Sequence, residues 1–304
     1  MSSTSSHDIS PLSTLWNFDA ALDWTAMSKH LSWKPERWNP TTKTELELPF
    51  DLGDGAVSFA AGGALVQWRD GQWTRCINTK HRSNDLQRDE EGRLLVACNG
   101  GRALRGHPDA LAVVKVPFET VSAVAALEGT RWVCAGLEGE VLLLDGETVV
   151  AELNTGGAIH AVLPLNAREA LLFGDGIHLL TQKGQLKQEV PDVWLQSAVH
   201  FKEAVLAFGG GVGLTGKPTY AFRQKKKWKV TQLADLDGEL LSLAVLGDAI
   251  YVPTGTGLFR LTETKPAQQV SDVPCTHVGI VGGKLIASGR GAAYVLKRRA
   301  LIPL

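Results

Sequence analysis

VSAVAALEGTRWVCAGLEGEVLLLDGETVVAELN, residues Val121 to Asn154, is the stretch whose reading decides the fold. Val121, Val124 and Leu127 mark a first strand, a turn at Glu128–Thr130 leads to RWVCAG, and Leu137–Gly139 turns the chain into EVLLLD. Asp145-Gly146-Glu147 is an Asp-Gly hairpin signal, and TVVAEL follows as an outer strand. Four antiparallel strands therefore fit in one short unit.

The central hairpin of that unit recurs on both sides of it. The copies read VSFAAGGALVQW (57–68), LLVACNGGRALRG (94–106), LLFGDGIHLLT (171–181), VLAFGGGVGLTG (205–216), IYVPTGTGLFRLT (250–262) and LIASGRGAAYVL (285–296). The turns close on Gly63, Gly101, Gly139, Gly176, Gly211, Gly257 and Gly291, at spacings of 38, 38, 37, 35, 46 and 34 residues. A period in this range, repeated seven times, predicts an all-β chain folded as a seven-bladed β-propeller of four-stranded antiparallel blades. Runs that are apolar on both faces fit sheets stacked face to face. Val116-Pro117, Val190-Pro191 and Val273-Pro274 are expected at crossings between blades, where a proline forfeits no ladder bond. Counting back from Gly63 puts the first inner strand at TELELPF (44–50), and AAYVLKRRALIPL after Gly291 supplies two short strands for the seventh blade.

Residues 44–304 resemble a divergent WD40-like β-propeller, carried best by VSAVAALEGTRWVCAGLEGEVLLLD of the third repeat. No copy has the Trp-Asp dipeptide of that family; Leu144-Asp145 stands at its place, and Gly106-His107 is out of phase with the Gly-His signature. The resemblance implies a rigid platform that binds another protein, on the face that carries the blade-crossing loops.

Residues 1–43 lie outside the repeat as an N-terminal arm. The first ~10 residues are polar and read as disordered. A helix is expected over roughly Phe18–Leu31, ended by Pro35 and Pro40. Trp16, Trp24, Trp33 and Trp38 give the arm an apolar character suited to packing on the propeller, lending a strand to the last blade, or binding a partner. Hydrophobic content of 44% with 21% charged residues is that of a soluble globular protein. A net charge of -1 argues against a dedicated polyanion binder, so nucleic acid is not the expected partner. No apolar run reaches the length of a membrane span and no secretory leader is legible, so the expectation is a cytoplasmic chain, taken as a monomer. Cys76, Cys98, Cys134 and Cys275 form no CxxC pair and read as reduced, packed thiols.

No catalytic motif, metal set or cofactor loop emerges. His160, His200 and His277 fall near inner strands but at three different positions of the repeat, which is poor geometry for converging ligands. Gly209-Gly210-Gly211-Val212-Gly213 lacks the Lys-Ser/Thr and helix of a phosphate loop and reads as a turn. Asp235, Asp237 and Gly238 resemble the middle of a calcium loop, but Leu233 and Ala244 stand where its end carboxylates belong. The expected partner-binding residues are Lys80, His81, Arg82, Phe118 and Trp194 in crossings, with Arg102, Glu138, Asp175 and Arg290 at turns. A second candidate is the basic loop Arg223, Lys225, Lys226, Lys227 and Lys229 around Trp228, carried by a local extension within the 46-residue interval. Its simplest reading is a solvated hairpin turn; lysines around a tryptophan could contact phosphate and stack on a base, and an acidic protein surface is the expected partner if it has one. The expected function is a non-enzymatic protein-protein interaction module: an adaptor, assembly factor or partner-neutralising inhibitor. The alternative is a propeller enzyme, a hydrolase or lyase, working at the mouth of the central channel.

Overall fold

A computed structural model of the chain describes residues 44–304 except 54–55, 211–217, 234–235, 237–239, 263–264 and 299. The N-terminal arm with its four tryptophans, the glycine cluster from Gly211 onward, and Asp235, Asp237 and Gly238 lie outside the described residues.

The described chain forms seven antiparallel sheets arranged as the blades of a propeller. Blade 1 is β1 (Glu47–Asp51), β2 (Val57–Ala61), β3 (Ala64–Arg69) and β4 (Gln72–Asn78). Blade 2 is β5 (Ser83–Arg88), β6 (Leu94–Cys98), β7 (Arg102–His107) and β8 (Ala110–Lys115), and blade 3 is β9 (Val121–Ala126), β10 (Arg131–Gly136), β11 (Glu140–Asp145) and β12 (Thr148–Asn154). In blade 4, β13 (Ile159–Asn166) and β15 (Leu186–Trp194) flank β14 (Glu169–Thr181). Blade 5 is β16 (Ser197–Phe201), β17 (Ala204–Gly209), β18 (Thr219–Gln224) and β19 (Lys227–Gln232). Blade 6 is β20 (Ala244–Leu246), β21 (Ala249–Thr254), β22 (Gly257–Thr262) and β23 (Lys265–Ser271), and blade 7 is β24 (His277–Val281), β25 (Lys284–Gly289), β26 (Ala292–Lys297) and β27 (Ala300–Pro303).

Blade 4 keeps the four-strand plan although β14 is continuous. Its first half pairs with β13 as far as Gly174, and its second half pairs with β15 from Asp175 onward. The two middle strands have merged through the turn at Gly174-Asp175-Gly176, where Gly176 has φ +115.

The turn glycines explain the repeat. Gly101, Gly139, Gly176, Gly257 and Gly291 all have positive φ, and at the first turn Gly62 takes that role in place of Gly63. The turns also sit against the crossing that leaves the same blade: Thr79, Val116 and Thr155 donate backbone N–H bonds to Gly63, Gly101 and Gly139 at 2.8, 3.0 and 2.9 Å. A β-carbon on Gly139 would stand 2.8 Å from the Gly157 carbonyl, so the position tolerates no side chain. One face of the ring thus carries both the middle turns and the crossings.

Seven apolar clusters hold the ring, one between each pair of neighbouring blades. Trp132, Val121, Val124 and Leu144 of blade 3 meet Leu95, Ala97 and Val114 of blade 2. Each buried Leu, Val or Phe side chain in such an interface contributes about 1.5–3 kcal/mol. Ring closure uses the same kind of contact: Leu46, Phe59 and Val66 pack on Val281, Ile286 and Val295. Leu46 donates its N–H to Gly289 at 3.1 Å, Gly291 donates to Thr44 at 2.5 Å, and Gly282 donates to Asp51 Oδ2 at 2.9 Å. Blades 1 and 7 exchange no strand among the described residues, because β24 to β27 all come from the C-terminal repeat.

Two expectations about the connections need correction. Val190-Pro191 lies inside β15 rather than at a crossing; the pairing with β14 is irregular there, and an outer edge strand tolerates the missing donor. The 46-residue interval is not spent on the lysine-bearing segment, which is a two-residue turn between β18 and β19. The added length falls between β17 and β18 and between β19 and β20.

Candidate functional site

The inner strands begin on the loop face, so their first residues ring the mouth of the central channel. Glu47 sits there because β1 carries an irregularity: its pairing jumps between Glu47 and Phe50, and Leu48 has φ +47. That kink turns the Glu47 carboxylate inward, where it is only 4% exposed. Arg82, in the crossing to β5, closes on it with two bonds, Nη2 to Oε1 at 2.5 Å and Nε to Oε2 at 3.2 Å. Burial raises the Glu47 pKa, and the Arg82 guanidinium opposes that shift. His277, at the start of β24, is pushed down to about 4 by burial and, secondarily, by the charge of Arg82. Its Nδ1 lies 3.0 Å from the Thr276 hydroxyl.

A second group gathers on blade 4. Trp194 donates its indole N–H to His160 Nε2 at 3.1 Å, with the rings edge to face at 5.5 Å. Asp175 accepts the Ala158 N–H at 3.1 Å and pairs in register with Trp194. Burial lowers the His160 pKa, and the Asp175 charge partly offsets it. His200 is apart from both groups, with Nε2 2.6 Å from the Pro164 carbonyl. The three histidines therefore serve three separate local networks. Among the described residues, no group of three His, Cys, Asp or Glu side chains converges as metal ligands.

Side chains also stitch the inner strands across blades. Asn84 reaches the Val121 carbonyl at 2.8 Å, Asp85 accepts the Val124 N–H at 3.0 Å, and Gln87 donates to the Val162 carbonyl of blade 4 at 3.0 Å. Burial pushes the Asp85 carboxyl up to about 6, against its backbone hydrogen bonds to Val124 and Leu86. Cys98 and Cys275 are unbridged and buried, their thiols pushed up by burial to about 11 and about 12. Such thiols are packing groups rather than nucleophiles.

Of the expected interface residues, Lys80, Glu138 and Asp175 are exposed on the loop face, and Arg290 is 80% exposed beside Glu45 at 3.5 Å. Arg82 is 55% exposed, whereas Arg102, Trp194 and His81 are half-buried. The expectation for Phe118 is corrected. It is 6% exposed and belongs to the cluster between blades 2 and 3, because the crossing dips its ring into that seam beside Gly136. Glu47 and Asn84 escaped the sequence reading, since inward-facing polar residues on an inner strand look like ordinary alternation.

The basic loop is the tip of the outer hairpin of blade 5. Lys225 and Lys226 form its two turn residues, with φ +49 and +66, and Gln224 pairs with Lys227. Below the tip, Arg223 pairs with Glu189 of blade 4 at 3.1 Å, and Trp228 donates its indole N–H to the same carboxylate at 2.7 Å. Two hollows flank the hairpin, one of about 300 Å³ with Lys202, Arg223 and Lys225, the other of about 420 Å³ with Lys187, Trp228 and Val230; Lys226 borders both.

No family model matches the chain, and no curated protein does. Solved structures do match, and they share its β-propeller fold, WD40-repeat propellers among them. The WD40 repeats of RRP9 superpose with a TM-score of 0.68 at 12% identity, over 85% of this chain and 90% of that one. U3-55K gives 0.68 at 13% identity, over 90% and 98%. A catalytically inactive virginiamycin B lyase from Staphylococcus aureus, with quinupristin, gives 0.69 at 11% identity, over 86% and 97%. At such identities the likeness is one of fold, and propellers host both binding and catalysis.

Proposed function

We propose that the protein is a non-enzymatic protein-interaction module that engages its partner through the loop face. The observation that carries this reading is that the loop-face main chain is held by hydrogen bonds where it presents exposed charged residues. Glu138 is held by its own N–H to Glu140 Oε2 at 3.0 Å and by Asn154 on its carbonyl, and Lys80 by its N–H to Asn78 Oδ1 at 2.9 Å. A backbone fixed before contact adds little ordering cost on binding, which favours a specific interface. Trp194, half-exposed beside Asp175, supplies an aromatic anchor. Adaptor, assembly factor and partner-neutralising inhibitor all fall within this reading.

The alternative, a hydrolase or lyase at the channel mouth, draws on the shared fold with a lyase. Against it, the Nε2 of His160 is occupied by Trp194, and His200 and His277 belong to other networks. The test is affinity purification from the native host with the wild type and with Lys80→Glu/Trp194→Ala. A co-purifying protein present with the wild type and lost with the folded variant supports the loop face, and equal recovery sinks it.

A further inference from the structure

We propose that the outer hairpin of blade 5 is a separate docking site for an acidic segment of a partner protein, with carboxylates flanking an apolar residue. Two independent observations carry it. The first is an excess of positive charge, which the exposed Glu203 beside Lys202 in the smaller hollow offsets only in part. Glu189 is consumed by Arg223 and Trp228, with the Arg223 and Glu189 side chains only 10% and 12% exposed. Its charge is thus cancelled beneath the surface, while Lys187, Lys225, Lys226, Lys227 and Lys229 remain exposed above it. Arg223 also lines the smaller hollow, and its buried Nε has no acceptor. This concentration occurs in a chain whose net charge is -1.

The second observation is strain. A two-residue hairpin turn with positive φ at both positions favours Asn-Gly, and an ordinary L-residue there is strained. The corresponding turn of blade 1 follows the preference, with Asp70 and Gly71 at φ +49 and +81. Blade 5 instead places lysine at both positions. A strained residue that carries charge to the tip points to a role outside folding.

The geometry favours a peptide over a nucleic acid. A strand-like segment crossing the tip would bring carboxylates to Lys226 from both hollows and set an apolar side chain near Val230, which is 39% exposed. Base stacking would need an open Trp228 face. That ring already lies 5.7 Å from the Arg223 guanidinium and edge-on to Phe173 at 6.1 Å.

Lys225→Asn/Lys226→Gly tests the site without endangering the fold, because it installs the preferred turn while removing both charges. The probes are a fluorescein-labelled peptide of glutamates around a central leucine pair, and labelled oligothymidylate, read by anisotropy. The peptide should bind the wild type in a salt-sensitive way and lose about tenfold in affinity with the variant, while the variant melts no lower than the wild type. Equal affinity for the two proteins, no peptide binding, or tighter binding of oligothymidylate overturns the proposal. This site stands apart from the loop face, so its failure leaves the affinity-purification test unaffected.

Discussion

Trp194 donates its indole N–H to Nε2 of His160 at 3.1 Å, and that bond dictates the state of the histidine. With Nε2 accepting, the neutral ring carries its proton on Nδ1. Protonation at Nε2 would break the bond, so it acts in the same direction as burial, which already lowers the pKa. Trp194→Phe should raise the His160 pKa toward its ordinary value and release the tautomer. Nitrogen NMR of the ring, titrated in both proteins, reads the two effects; an unchanged pKa would deny the bond any such role.

His277 and Asp85 should tilt the pH dependence of stability in opposite directions. His277 titrates at 6.5 when unfolded and near 4 when folded, so the unfolded chain binds the extra proton and stability falls as pH drops through that window. Asp85 titrates at 3.8 when unfolded and near 6 when folded, so the native state holds the extra proton and stability falls as pH rises through its window. Both residues keep partial solvent exposure, which screens each contribution to about 1–2 kcal/mol. In urea titrations from pH 4 to 6.5, His277→Gln should expose the decline with rising pH, and Asp85→Asn the increase. Parallel profiles for the two variants would contradict both assignments.

Arg82 and Glu47 should be strongly coupled. Removing the guanidinium in Arg82→Met strands a carboxylate that is 4% exposed and raises its pKa further. The expected loss is about 2–3 kcal/mol, reduced from that of a fully buried pair because Arg82 itself is 55% exposed. Adding Glu47→Gln should restore most of it. A double-mutant cycle by denaturation measures the coupling, and additive losses would mean that the pair contributes nothing beyond its separate parts.

Phe118→Ala should behave as a core deletion. Its ring lies in the seam between blades 2 and 3, so truncation should cost about 3–5 kcal/mol. Trp194→Ala, at the half-exposed rim, should cost less. Thermal unfolding separates the two, and an equally mild Phe118→Ala would return that residue to the surface.

The third repeat was legible almost to the residue, because alternation, the Asp-Gly turn and the positive-φ glycine all point the same way: β9 to β12 fall within Val121–Asn154. Legibility failed where a side chain's direction depends on a distant neighbour. Phe118 follows a proline in a crossing and looks like an exposed anchor, yet the seam between two blades offers it a cavity that no local pattern records. Glu47 alternates normally in sequence, but the kink at Leu48 aims it into the channel mouth. The lysine-rich segment reads correctly as a hairpin turn, but the extension expected to carry it lies elsewhere, because the repeat interval locates added length without saying which connection holds it.

The seam between blades 1 and 7 has a consequence for how the protein is made. Six of the seven interfaces join blades adjacent along the chain, whereas the bond from Gly282 to Asp51 spans 231 residues. A chain emerging from a ribosome can stack its blades in order, but the last joint waits for β25 and β26 to be synthesised. Until then Phe59 and Val66 on one flank lack their partners Ile286 and Val295 on the other. The nascent protein is therefore an open arc with a greasy leading edge, and its hazard during synthesis is one arc meeting another before it meets its own tail.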